Sequence, residues 1–131
     1  MMQAKFEDLE IYQLAERLSD LVWDIVIKWD SFSRNTVGKQ YVEAVDSVGS
    51  NISEGYGRGS FPDRSRFAKI SRGSLFETVH WTKKSQRRNL LTDKEFNDIF
   101  EIIDILLPKL SSYINYLDIK TINIINIFKD K

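Results

Sequence analysis

The sequence has no cysteine, two prolines, one histidine and equal numbers of acidic and basic side chains. The lack of cysteine excludes disulfides, thiol nucleophiles, zinc fingers and thiolate-held clusters, and it fits a reducing compartment. No apolar stretch approaches the roughly 18 residues of a membrane span. Acidic side chains occur throughout the first 30 residues, where a signal peptide would be basic and then apolar. We therefore expect a cytoplasmic protein with no membrane partner.

The 131 residues have the length and composition of one globular domain. Apolar side chains recur at helical spacing between the prolines and a central glycine cluster, and they do not alternate as in strands. This pattern predicts a single all-α domain, an antiparallel up-and-down four-helix bundle, because short connections favour antiparallel neighbours. The predicted helices span about 8–29, 36–56, 62–90 and 92–117. Residues 118–131 have no clear period; they could extend helix 4, pack as a strap or fray.

The predicted helix 4 has the clearest start and the clearest core face. Thr92 and Glu95 have the spacing of a capping box. Pro108 lies inside the apolar stripe, and we expect a kink there because the stripe continues in phase beyond it. The stripe consists of Phe96, Ile99, Ile103, Leu106, Leu110, Ile114 and Leu117.

The predicted helix 1 has apolar side chains on two sides. The first set faces the core and consists of Ile11, Leu14, Leu18, Leu21, Val22, Ile25 and Trp29. The second set lies nearly opposite and consists of Leu9, Tyr12, Trp23 and Ile27. Scattered surface aromatics would be one explanation. We favour a subunit interface, because such a patch on a water-facing helix is otherwise a liability.

Basic side chains are concentrated in residues 55–90, which hold 9 basic and 2 acidic residues. On helix 3 they form a stripe with Phe76 and His80 among them, as in surfaces that contact phosphates. The stripe consists of Arg66, Lys69, Arg72, Lys83, Lys84 and Arg87. Two other interpretations remain open: a solvated face favoured by the helix dipole, or a face that meets acidic helix 1 of a neighbouring subunit.

Catalytic and cofactor motifs are weak. Glu77 and His80 have the Glu-x-x-His spacing of di-metal bundles, but such a site needs a second histidine, and the chain has one. His80 is also predicted to lie away from any nucleophile–base pocket. Gly55, Gly57 and Gly59 end a helix, where they provide positive φ angles, and do not follow a strand as in a dinucleotide fingerprint. We therefore expect no catalytic residues, no cofactor and no metal. An enzyme or metal site built on Glu54, Glu77 and His80 remains an alternative hypothesis.

Three ordered segments resemble the four-helix-bundle family named after proteins encoded in 23S rRNA intervening sequences. They are Phe6–Tyr12, Ser47–Arg58 and Gly73–Glu77, and the resemblance extends over roughly residues 6–117. It implies a cytoplasmic bacterial homopentamer, related to the accessory proteins of diversity-generating retroelements, which bind nucleic acid and a reverse transcriptase. Val42 and Glu43 depart from the pattern, because similar members carry one or two arginines there.

Within the Ser47–Arg58 segment, Asn51 and Glu54 are expected to form a structural polar cluster with Glu77, fixing the register of helices 2 and 3. The resulting functional prediction is a non-enzymatic homo-oligomeric scaffold or adaptor, with RNA, DNA or a nucleic-acid-handling protein as partner of helix 3. The alternative is a protein-binding module in which the same basic face docks an acidic partner.

Overall fold

The computed structural model describes residues 5–129, which form a four-helix bundle and contain no strand. This confirms the predicted all-α fold class. The helices are α1 (Glu10–Val26), α2 (Lys39–Arg58), α3 (Phe61–Arg87) and α4 (Asp93–Lys129). A 3-10 turn, Phe6–Asp8, precedes α1, and the short turns Ser31–Ser33 and Arg34–Gly38 lead into α2. Each helix packs against two others, in the cyclic order α1, α2, α3, α4.

The ends of α1, α2 and α3 differ from the predicted bounds by one to three residues. The helix predicted over 8–29 begins at Glu10 and ends at Val26, because a separate 3-10 turn precedes it and irregular turns follow it. The helix predicted to end at residue 56 continues to Arg58 and stops at Gly59, whose φ of 83° is left-handed. Only this one of the three clustered glycines has a positive φ. Gly55 and Gly57 lie inside α2, contrary to the sequence interpretation.

The helix α4 contributes one side of the bundle core and runs unbroken through Pro108 as far as Lys129. The residues from 118 to 129, for which the pattern left three possibilities, therefore continue the helix. Six of the seven predicted stripe residues are buried and Phe96 is partly buried. The predicted capping box is present, since the Thr92 amide donates to Glu95 Oε1 at 2.8 Å and the Glu95 amide donates to Thr92 Oγ1 at 3.1 Å.

The contact between α2 and α3 is made of small and hydroxyl-bearing side chains. The buried side chains that α3 contributes include Ser65, Ala68, Ser71, Leu75, Thr78, Thr82 and Ser85. Ser71 Oγ donates to the main-chain carbonyl of Val48 at 2.7 Å, which brings the two backbones close. The Tyr41 hydroxyl lies 2.6 Å from Thr82 Oγ1 in the same interior. Small residues thus position α3 closely against α2 and leave its longer basic side chains outside.

Candidate functional site

The first half of the predicted basic stripe is engaged within the chain. Arg66 pairs with Asp63 at 3.1 Å, and Lys69 pairs with Asp118 at 3.2 Å. Arg72 Nη1 lies 3.4 Å from Ser111 Oγ, a contact at the long end of the hydrogen-bond range. A hydrogen bond from Ser65, together with Lys69, holds the pKa of the Asp118 carboxyl below its usual range. These three basic residues therefore dock α3 onto α4 or stabilise its first turn.

The basic side chains in the second half of the stripe have no acidic partner within the described part of the chain. Lys83, Lys84 and Arg87 lie at the C-terminal end of α3, and Arg88 follows directly. None of these four side chains forms an ion pair with any other residue in the described range 5–129. Lys84 is half-buried and the other three are exposed. We call these four residues the basic end of α3.

An exposed aromatic ring lies beside the basic end of α3. Phe32, in the turn between α1 and α2, is 77% exposed and lines a surface hollow with Arg88 and Leu90. Sequence analysis missed Phe32 because periodicity assigns no face to a residue in a connection. His80, by contrast, packs edge-on against Trp81, with ring centroids 4.8 Å apart. A ring next to an arginine without an acidic partner in the described chain is an arrangement that proteins use to stack a base while contacting phosphates.

Of the four residues in the predicted subunit interface on α1, two pack within the chain and two are exposed. Leu9 and Tyr12 are partly buried and pack against the bundle's own core. The 3-10 turn also brings the Phe6 ring against the Tyr12 ring, with ring centroids 4.9 Å apart. Trp23 and Ile27 remain 53% and 44% exposed. The second apolar side of α1 is therefore narrower than the helical wheel predicts. Its exposed part consists of Trp23 and Ile27.

A cleft between α1 and α2 contains three carboxylates and is walled by aromatic rings. It is lined by Phe6, Tyr12, Glu16, Ser19, Asp20, Trp23, Asp46, Ser50 and Ser53. Ser19 Oγ donates to Asp46. Glu16 lies against Gly49, where an added Cβ would be 2.6 Å from its Oε1. Burial, followed by the nearby charges of Asp20 and Asp46, raises the pKa of the Glu16 carboxyl.

Glu16→Gln is expected to raise the melting temperature at pH 7. A carboxyl whose folded-state pKa lies above its unfolded value favours folding when protonated, and this contribution is lost as the pH rises through that pKa. The gain from the substitution should therefore shrink as the pH falls towards about 4, near the ordinary pKa of glutamate. Melting curves of both proteins over this pH range provide the measurement. Glu43→Gln, at an exposed position on α2, is the control; an equal gain there would contradict the explanation.

The predicted polar cluster of Asn51, Glu54 and Glu77 does not form. Asn51 Nδ2 donates to the carbonyl of Ser47 on its own helix at 2.7 Å. Glu54 and Glu77 are exposed, and each accepts from a residue four positions later, Glu54 from Arg58 at 3.1 Å and Glu77 from Trp81 at 3.4 Å. Local partners on the same helix therefore take the place of the expected contacts between helices.

Two general features of the described chain bear on function. Across residues 5–129, no group of three or more acidic or histidine side chains is arranged to hold a metal ion. No helix in this range is long and apolar enough to span a bilayer.

The family comparison agrees with the bundle and with the three sequence segments. The model of the 23S rRNA-intervening sequence protein family matches residues 7–112. The chain belongs to this family. The match within the 23S rRNA-intervening sequence proteins covers α1, α2, α3 and the first half of α4, including the basic end of α3. Among curated proteins, none matches the chain significantly.

Proposed function

We propose that this 23S rRNA-intervening sequence protein is a non-enzymatic homo-oligomeric scaffold that binds nucleic acid through the basic end of α3. The observation that carries the proposal is the absence of ion pairs around Lys83, Lys84, Arg87 and Arg88 within residues 5–129. Cations held without acidic partners attract a polyanion and release its counterions on binding. Phe32 adds a ring on which a base can stack.

Neutralising the basic end is expected to remove nucleic-acid binding. The variant Lys83→Gln/Lys84→Gln/Arg87→Gln loses three unpaired cations, so the slope of log affinity against log salt should fall in magnitude by roughly 2 to 3. Single-stranded RNA and duplex DNA of random sequence are the probes, titrated from about 50 mM salt upward, since phosphate contacts are strongest at low salt.

The matched control is Arg66→Gln/Lys69→Gln/Arg72→Gln, which removes the same charge from the same helix. Its side chains already have partners inside the chain, so it should retain most of the binding. Exposed ion pairs contribute little stability, and both variants should fold. Absence of wild-type binding at about 50 mM salt, or equal losses in the two variants, would refute a nucleic-acid role for this surface. Loss of assembly in the first variant alone would assign the basic end to a subunit contact.

Homo-oligomer formation is supported by the exposed Trp23 and Ile27 on α1. Trp23→Glu should lower the mass measured by light scattering towards one 15.3 kDa subunit without loss of helical circular dichroism. The pentamer implied by the family resemblance would have five times the subunit mass of 15.3 kDa, about 77 kDa. Ile70→Glu, at a position on α3 that is 46% exposed, is the control. An unchanged mass in Trp23→Glu would show that α1 is not the interface.

A further inference from the structure

The last two turns of α4 extend beyond the other helices. Within residues 5–129, Asp118 is the last residue of α4 that forms an ion pair, and its partner is Lys69 near the start of α3. Thr121 is half-buried beside Pro62. Every residue from Ile122 to Lys129 is exposed, and this segment, which we call the α4 overhang, spans about 12 Å. It also lies outside the region matched by the family model, which ends at residue 112.

The α4 overhang carries an unusual density of exposed apolar side chains. Five of its eight residues are large and apolar, with exposures from 39% to 71%, namely Ile122, Ile124, Ile125, Ile127 and Phe128. Ile119, just before it, is also exposed. Contiguous apolar surface of this kind on a folded protein marks a contact site.

The distribution of these side chains around the helix determines what shape can cover them. Ile124 and Phe128 continue the core stripe of α4 past Leu117, whereas Ile122 and Ile127 point to other sides of the helix at 100° per residue. A helix that is apolar all round is buried among other helices or spans a membrane. No helix in the described part of the chain qualifies for a membrane span. A flat surface would cover one side only, so several helices are required.

The chemistry of the overhang favours a second copy of the same segment. Its only charged side chain is Lys129, at its end, so it presents no charge pattern for an unlike partner to match. Its remaining polar residues, Asn123 and Asn126, have amides that both donate and accept hydrogen bonds, so identical helices can satisfy each other. Asparagine inside an otherwise apolar seam is also a known determinant of register between identical helices.

We propose that the α4 overhangs of three or more copies of the chain pack together as a small helical bundle. This proposal rests on the proposed function only in requiring that copies of the chain associate. It uses residues outside the α1 surface and outside the basic end of α3.

The cysteine-free sequence allows a direct test by disulfide cross-linking. Single cysteines are placed in the full chain at Ile124, Ile125, Asn126 or Ile127, which together sample all sides of the helix. These positions surround the midpoint of the overhang, so a cysteine meets its counterpart in either parallel or antiparallel alignment. A disulfide requires Cα atoms within about 7 Å. Ile70→Cys on α3 is the control, because Ile70 and Ile125 are 46% and 49% exposed.

We expect at least one overhang variant to form a disulfide dimer several-fold faster than Ile70→Cys under mild oxidation, and urea to remove the difference. Rates equal to that of the control at all four positions would overturn the proposal. Repeating the experiment with Trp23→Glu separates the two contacts. Fast cross-linking in a Trp23→Glu protein of lower mass would show that the overhang contact forms without the α1 interface. If the chain with native Trp23 is oligomeric but shows no fast cross-link, the overhang contact is rejected and the α1 interface stands.

Discussion

Gly55→Ala is expected to destabilise the bundle by about 1–3 kcal/mol, although alanine is the better helix former. A Cβ at this position in α2 would lie 2.6 Å from Cβ of Phe67 and 3.3 Å from Cα of Arg64. Both atoms are fixed to the backbone of α3, so relief of the overlap requires the two helices to move apart. That movement would also loosen nearby hydroxyl contacts such as Ser71 to Val48.

Gly57→Ala is the matched control for this substitution. Gly57 lies two residues later in the same helix and has no heavy atom within 4 Å of its would-be Cβ. Alanine there should stabilise the protein by up to about 1 kcal/mol, because it reduces the entropy of the unfolded chain. Urea denaturation of the wild type and both variants provides the comparison. Stabilisation by Gly55→Ala would show that α2 and α3 are not packed as closely as described.

Leu106→Ala is expected to lower the free energy of unfolding by about 2–5 kcal/mol, since it removes a fully buried side chain and leaves a cavity. Leu106 is 0% exposed in the middle of the α4 stripe. Ile105→Ala on the adjacent, exposed position should change stability by no more than about 0.5 kcal/mol. The measurement is again the urea transition, with the slope checked for two-state behaviour. Similar losses at both positions would mean that the predicted core face of α4 is wrongly oriented.

The number of helices and the core face of α4 could be predicted because each depends on periodicity within one segment. Leu106 and Leu110 are buried because their helical spacing places both on the apolar face of α4. The continuation of α4 to Lys129 could not be predicted, because the isoleucine side chains between residues 119 and 127 point to all sides of the helix and define no single apolar face. A helix with no single apolar side is expected to be buried, but its sequence does not identify the surface that buries it.

The functional surfaces were predicted only in part, because contacts between distant residues decide which side chains remain free. Lys69 and Arg72 belong to the predicted stripe, but their partners Asp118 and Ser111 come from α4. A helical wheel of α3 contains no information about α4. Tyr12 is similarly withdrawn from the predicted α1 surface by the short turn that precedes the helix.

The close seam between α2 and α3 also has a consequence for the order of folding during synthesis. Only Gly59 and Ser60 separate the two helices, so their contacts close a short loop at small entropic cost. A growing chain has this hairpin complete at Arg87, before any of α4 has been made. The apolar sides of the first three helices remain exposed to water until α4 has been made and packs Leu106 and its neighbours into the interior. A chain in which only this hairpin and α1 have been made therefore depends on α4 to shield its apolar side chains from water.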